Sequence, residues 1–132
     1  MSDSPSIHLG SLSELILYVT DMDAQVRFYR DTLGLSIRFP SGLDDYSSEY
    51  WVVLETGACA LALHGGGEKE FGKNAPKFVF DTDQIEETRA AFKDAKIPCS
   101  EIDSPATGVA VFDAKDPEGN LFSVENRSPA TE

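Results

Sequence analysis

Glu14, Asp81 and Glu125 are carboxylates set within runs of apolar and β-branched residues, and His64 closes the apolar run ACALALH. A carboxylate in such a setting attracts positive charge, and a histidine at the end of an apolar strand suits the polar rim of a pocket. Tyr18 and Trp51 add broad apolar surface, Ile16 adds aliphatic wall, and the small Ala60 and Ala62 leave volume beside them. This combination fits an organic ligand that carries a cationic group.

For these residues to act together, the elements must place them on common faces. In Glu14 to Val19, Leu15, Leu17 and Val19 fall on one side of an extended segment and Glu14, Ile16 and Tyr18 on the other, which predicts a strand. Asp21 or Asp23 then supplies an N-cap, and Ala24, Val26, Phe28 and Leu33 give a helical apolar face that Gly34 terminates. Phe28 belongs to the core, with Tyr29 packing at the helix edge. Strands follow at 35–40, in YWVVLETG and in ACALALH. Of the neighbours Tyr50 and Trp51 only one can share the face of His64, and Trp51 is the one assigned there.

Gly65 to Pro76, rich in Gly, Lys and Glu, reads as a linker between a first module at about 12–65 and a second at about 77–127. The order then repeats. KFVFDTD is a strand, and residues 84–96 form a helix with Asp83 as N-cap and Ile85, Ala91, Phe92 and Ala95 as its buried stripe. Strands follow at 97–102, where Pro98 suits an edge, at 108–114, and at 120–126 after the turn DPEG. Both halves therefore read βαβββ, an α+β duplication with Thr20-Asp21 and Thr82-Asp83 at the same joint. With the Leu-rich faces covered by helices, Val79, Asp81, Leu121, Ser123 and Glu125 fall on the other face of the second module.

At 132 residues with 41% hydrophobic and 26% charged side chains, the chain has the size and composition of a single packed domain. Its net charge of −12 is spread evenly, with three basic against nine acidic residues up to Gly66 and eight against fourteen beyond it. Such a field repels nucleic-acid backbones and anionic membranes; it favours solubility and, alternatively, capture of a cationic ligand. No apolar run approaches the length of a membrane helix, the first ten residues lack the features of a signal peptide, and a cytoplasmic location is expected. Cys59 and Cys99 lie far apart without a CxxC spacing, as a reduced thiol pair would.

The segments LYVTDMDAQVRFYRDTLGL at 17–35 and DPEGNLFSVE at 116–125, together with the duplicated order, resemble the vicinal oxygen chelate superfamily. That superfamily contains glyoxalase I, extradiol dioxygenases, and fosfomycin- and bleomycin-resistance proteins. The resemblance implies two βαβββ modules forming an open eight-stranded cup, a ligand in the concave face and a homodimer. In metal-dependent members, one His and one Glu from each module bind a divalent ion.

The resemblance lays those four positions on Glu14, Ala62, Lys77 (Pro76 if the register slips) and Ser123. Alanine and proline side chains offer no ligand and an ammonium repels a cation, so neither a catalytic metal nor another cofactor is expected. The expected function is binding of a small organic molecule, an organic cation or a metabolite, by a bleomycin-resistance-like protein. The ligand-binding residues are Glu14, Ile16, Tyr18, Trp51, Ala62, His64, Asp81, Ser123 and Glu125. The alternative is a metal-dependent lyase or dioxygenase whose displaced ligands are Glu14, His64 and Glu125, the last two each two residues beyond a vacated position.

Overall fold

The computed structural model describes His8, Leu12 and residues 14–57, 59–66 and 77–127. The chain divides into two compact units, Met1–Glu68 and Lys69–Glu132. The linker reading at 67–76 lies outside the described residues, and Gly65, placed at its start, is the last residue of a strand.

In the first unit, β1 (Glu14–Val19) leads into α1 (Met22–Val26), which continues as a π-helical turn over Arg27–Thr32. β2 (Ser36–Phe39), β3 (Trp51–Glu55) and β4 (Ala60–Gly65) complete a sheet of order β1-β4-β3-β2. β1 runs parallel to β4, and the other pairs are antiparallel. The faces divide as alternation predicts. Val52, Leu54, Leu61 and Leu63 are buried on one side, where α1 packs on β4, whereas Ile16 and Tyr18 on the other side of β1 are exposed.

Asp21 is the residue that caps α1, its carboxylate accepting from Ala24 N at 3.1 Å. Asp23, the alternative, ties the helix to the loop before β3: it accepts from Tyr46 N at 2.9 Å and from Arg27 Nε at 2.6 Å. The Arg27 guanidinium, followed by the Tyr46 amide, holds the Asp23 carboxyl below its ordinary range. Tyr46 is itself buried and donates its hydroxyl to Pro40 O at 2.7 Å. Tyr29 is fully buried, not at the helix edge. The π turn, in which Leu33 N donates to Phe28 O five residues back, rotates the helix and carries Tyr29 inward beside Phe28.

In the second unit, β5 (Phe78–Asp81), α2 (Ile85–Asp94), β6 (Asp103–Ala106), β7 (Val109–Lys115) and β8 (Leu121–Arg127) build a sheet of order β5-β8-β7-β6. Again the first and last strands pair in parallel, Phe78 opposite Phe122 and Asp81 opposite Glu125. An aromatic core fills the helix side: Phe78 stacks on Phe122 at 5.5 Å, and Phe92 of α2 meets the edge of Phe112 at 5.2 Å.

Three expectations change here. Asp83 does not cap α2; the Thr82 hydroxyl accepts from Gln84 N at 3.1 Å and meets the Thr88 hydroxyl at 3.2 Å. Ile85 and Phe92 are buried, but Ala91 and Ala95 are exposed, because the helix turns its Thr88 and Arg89 face inward. Residues 97–102 contribute only a single bridge, Cys99 opposite Ala114, and the edge strand forms later at Asp103–Ala106.

The DPEGN turn between β7 and β8 is organised by a buried carboxylate. Asp116 accepts from Glu118 N and Asn120 N at 2.9 Å each and from Asn120 Nδ2 at 2.7 Å, while Gly119 takes the left-handed conformation (φ 87°) that closes the loop. Asp116→Ala leaves three donors without their acceptor and is expected to destabilise the fold by about 2–3 kcal/mol, with Asp116→Asn costing less. Urea unfolding midpoints at constant m-value measure both.

Candidate functional site

The open face of the first sheet is ordered in three rows by strand register. At one end Glu14 lies opposite Ala60, in the middle Ile16 is opposite Ala62 and Ala62 opposite Val53, and at the other end Tyr18 is opposite His64 and His64 opposite Trp51. Six of the anticipated residues, Glu14, Ile16, Tyr18, Trp51, Ala62 and His64, thus share one face of one sheet. The three rows differ in chemistry.

The Glu14 row is charged. Glu55, two residues beyond Val53 on β3, forms an ion pair with Arg38 of β2. Glu55 and then Glu14 hold the Arg38 charge more firmly, and Arg38 in turn lowers the Glu55 carboxyl. The middle row is apolar and closely packed: its Val53 and Ala62, with Ala60 of the adjoining row, form a buried cluster against which Trp51 lies. The space that the two alanines leave is therefore lined by the indole.

The third row is aromatic. The His64 ring lies 5.0 Å from Tyr18, 5.1 Å from Tyr50 and 5.9 Å from Trp51, centroid to centroid, and its Nδ1 is 2.7 Å from the Gly65 carbonyl oxygen. Backbone bonds hold this end in place, with Gly65 N donating to Tyr50 O at 2.9 Å and Gly66 N to Val19 O at 3.2 Å. Gly66 has φ 82°, and a Cβ there would meet the Tyr50 hydroxyl. Tyr50, although on the alternate position to Trp51, reaches the imidazole from the strand end.

On the second sheet, Asp81 lies opposite Glu125 and Val79 opposite Ser123, and Ser123 in turn is opposite Asp113 of β7. Asp113 is the residue that sequence reasoning missed. Its carboxylate accepts from the buried Ser123 hydroxyl at 2.5 Å and pairs with Lys77 Nζ at 3.1 Å, so the lysine arm crosses β8 on the open side. An aspartate at the fifth position of VAVFDAK, after Val109 and Val111 on the same strand face, was the available signal.

The four positions that resemble a metal site do not fit a divalent ion. Ala62 has no donor, and Lys77 and Ser123 are both turned to one carboxylate oxygen of Asp113. Nor does the displaced set converge within the first sheet: Glu14 and His64 are separated by four residues of register, about 13 Å along the strands. Among the described residues, no three His, Cys, Asp or Glu side chains are grouped to hold a metal ion.

The Ser123 hydroxyl, and next Lys77, hold the Asp113 carboxyl below its ordinary value of 3.8, against the opposing effect of burial. A depressed carboxyl stabilises the fold fully above its unfolded pKa and loses that contribution as pH falls through the lower, folded value. Ser123→Ala is expected to cost about 1 kcal/mol at neutral pH. The gap between wild type and Asp113→Asn should close progressively below pH 3.8, as read by urea unfolding across an acid series.

A family model described as Glyoxalase/Bleomycin resistance protein/Dioxygenase superfamily matches residues 11–124. No curated protein matches the chain. Among solved structures, a glyoxalase-family protein from Bacillus anthracis superposes with a TM-score of 0.73 at 15% identity, over 94% of this chain and 100% of the other. A lactoylglutathione lyase from Agrobacterium tumefaciens gives 0.68 at 23% identity, over 89% and 94%. An integron cassette protein from the mobile metagenome of V. cholerae gives 0.67 at 26% identity, over 93% and 99%. With its duplicated βαβββ order and a family match across most of its length, the chain belongs to the glyoxalase/bleomycin resistance protein/dioxygenase superfamily.

Proposed function

We propose that this protein binds a small planar organic cation on the open face of its first sheet and does so without a catalytic metal. The observation that carries the reading is the Lys77–Asp113–Ser123 cluster, which puts an ammonium and a committed hydroxyl where metal-dependent relatives would place ligands. Support comes also from the aromatic row. A planar cation gains from the faces of Tyr18 and Trp51 through both apolar contact and the ring quadrupoles. Glu14 at the far end and the net charge of −12 favour a positive ligand over a negative one. Ile16 and Ala62 supply the apolar floor, and Asp81, Ser123 and Glu125 occupy the corresponding face of the second sheet. A homodimer in the cytoplasm belongs to the same reading. So does the joining of the two units as one domain through residues 65–76.

Trp51 is the chain's single tryptophan, so its emission reports binding directly. An acridinium-type cation is expected to raise the melting temperature in proportion to its occupancy, and Trp51→Ala to weaken binding by about tenfold. Protein incubated with nickel, zinc, manganese or iron and then desalted should retain no stoichiometric metal. Stoichiometric metal that disappears in His64→Ala or Glu125→Ala would overturn the reading in favour of the metal-dependent lyase or dioxygenase.

A further inference from the structure

The imidazole of His64 is the one ring of the four whose nitrogen can accept a hydrogen bond, and its hydrogen-bond direction is fixed by the backbone. Nδ1 lies 2.7 Å from the carbonyl oxygen of Gly65, and a carbonyl oxygen only accepts, so Nδ1 carries the proton. In the neutral ring Nε2 then holds a lone pair and acts as an acceptor. Gly65 is a firm anchor for this arrangement, because its own N–H is bonded to Tyr50 O and the following Gly66 N–H to Val19 O. Tyr18, Tyr50 and Trp51 stand around the ring at 5.0–5.9 Å, tilted by 52–84°, so the imidazole is presented between aromatic walls and not stacked beneath one of them.

We propose that His64 is the specificity-determining residue of this face, selecting planar cations that carry an N–H donor over those that do not. The inference rests on the binding function proposed above and names the ligand chemistry that the site accepts. A ligand ring held against Trp51 or Tyr18 brings its edge to Nε2. A donor there forms a hydrogen bond to the imidazole, whereas a methylated or donor-free edge leaves the lone pair desolvated and unpartnered. A nitrogen acceptor held among aromatic rings discriminates mainly by that penalty. Because His64 is only half-buried, the discrimination is expected to be about tenfold and not the much larger factors of fully enclosed sites.

Calorimetric titrations of the full chain with 9-aminoacridine and with N-methylacridinium test this, since both are planar cations at neutral pH and only the first presents N–H donors. Wild type is expected to bind 9-aminoacridine about tenfold more tightly. His64→Phe keeps a ring and removes the acceptor together with its penalty, so the two probes should bind the variant within about twofold of each other. Equal binding of both probes by wild type overturns the inference and leaves the binding function standing, as does discrimination that survives in a folded His64→Phe. Failure of wild type to bind either probe overturns the binding function and the inference together. The wild-type pair decides the matter even if the variant does not fold.

Discussion

The parallel pairing of the first strand with the last strand of each unit is the constraint on which the remaining geometry depends. It cannot be made by a tight turn; the chain must travel through a helix and two further strands before β4 can lie beside β1, or β8 beside β5. Once formed, the pairing runs without a shift, Glu14 to Ala60 through Val19 to Gly65 in one unit and Phe78 to Phe122 through Asp81 to Glu125 in the other. A slip of one residue would exchange the Leu-rich face for the face bearing Glu14, Tyr18 and His64. Burial of Leu61 and Leu63 therefore fixes the position of His64 as firmly as any contact His64 makes itself.

Each unit uses its helix side and its open side differently. The helix side is mainly apolar, with leucines and valines in the first unit and a phenylalanine cluster in the second, and it supplies the burial that stabilises the sheet. The open sides diverge. In the first sheet charge is confined to the Glu14 end, where Arg38 and Glu55 neutralise one another, and aromatic rings gather at the opposite end. In the second sheet charge extends from the Asp81–Glu125 row to the neighbouring row, where Asp113 gathers a cation and a hydroxyl. The duplication preserved topology and not chemistry.

Much of the fold was legible because it depends on periodicities that each strand carries alone. Alternation in ELILYV and ALALH assigned the faces, and the repeated order assigned the duplication. What escaped reading depends on relations between segments. Asp113 becomes significant only through its register opposite Ser123 and the reach of Lys77 across β8, neither of which is written in the local pattern of VAVFDAK. Tyr29 is buried by a π turn whose extra residue shifts the helical phase, so a strict 3.6-residue period misplaces it. At the second Thr-Asp joint the threonine hydroxyl accepts from the N–H two residues on, whereas the matching joint has its aspartate accept from the N–H three residues on, so the same dipeptide enters its helix through different bonds.

The Lys77–Asp113–Ser123 cluster shows how paired charges avoid destabilising a sheet face. An isolated lysine amid Val79, Ser123 and Leu121 would place an ammonium over partly apolar surface, and an isolated Asp113 would add one more carboxylate to an already acidic unit. Together they offset each other. The buried Ser123 hydroxyl spends its one donor on the carboxylate, which makes a charge-assisted bond of the strong kind and fixes the carboxylate toward β8. Substitution at either end of the cluster would break this arrangement, because a histidine at 77 abandons the Asp113 ion pair and a glutamate at 123 sets two carboxylates side by side. The cluster therefore acts as a coupled set, in which changes must come together to be neutral for stability.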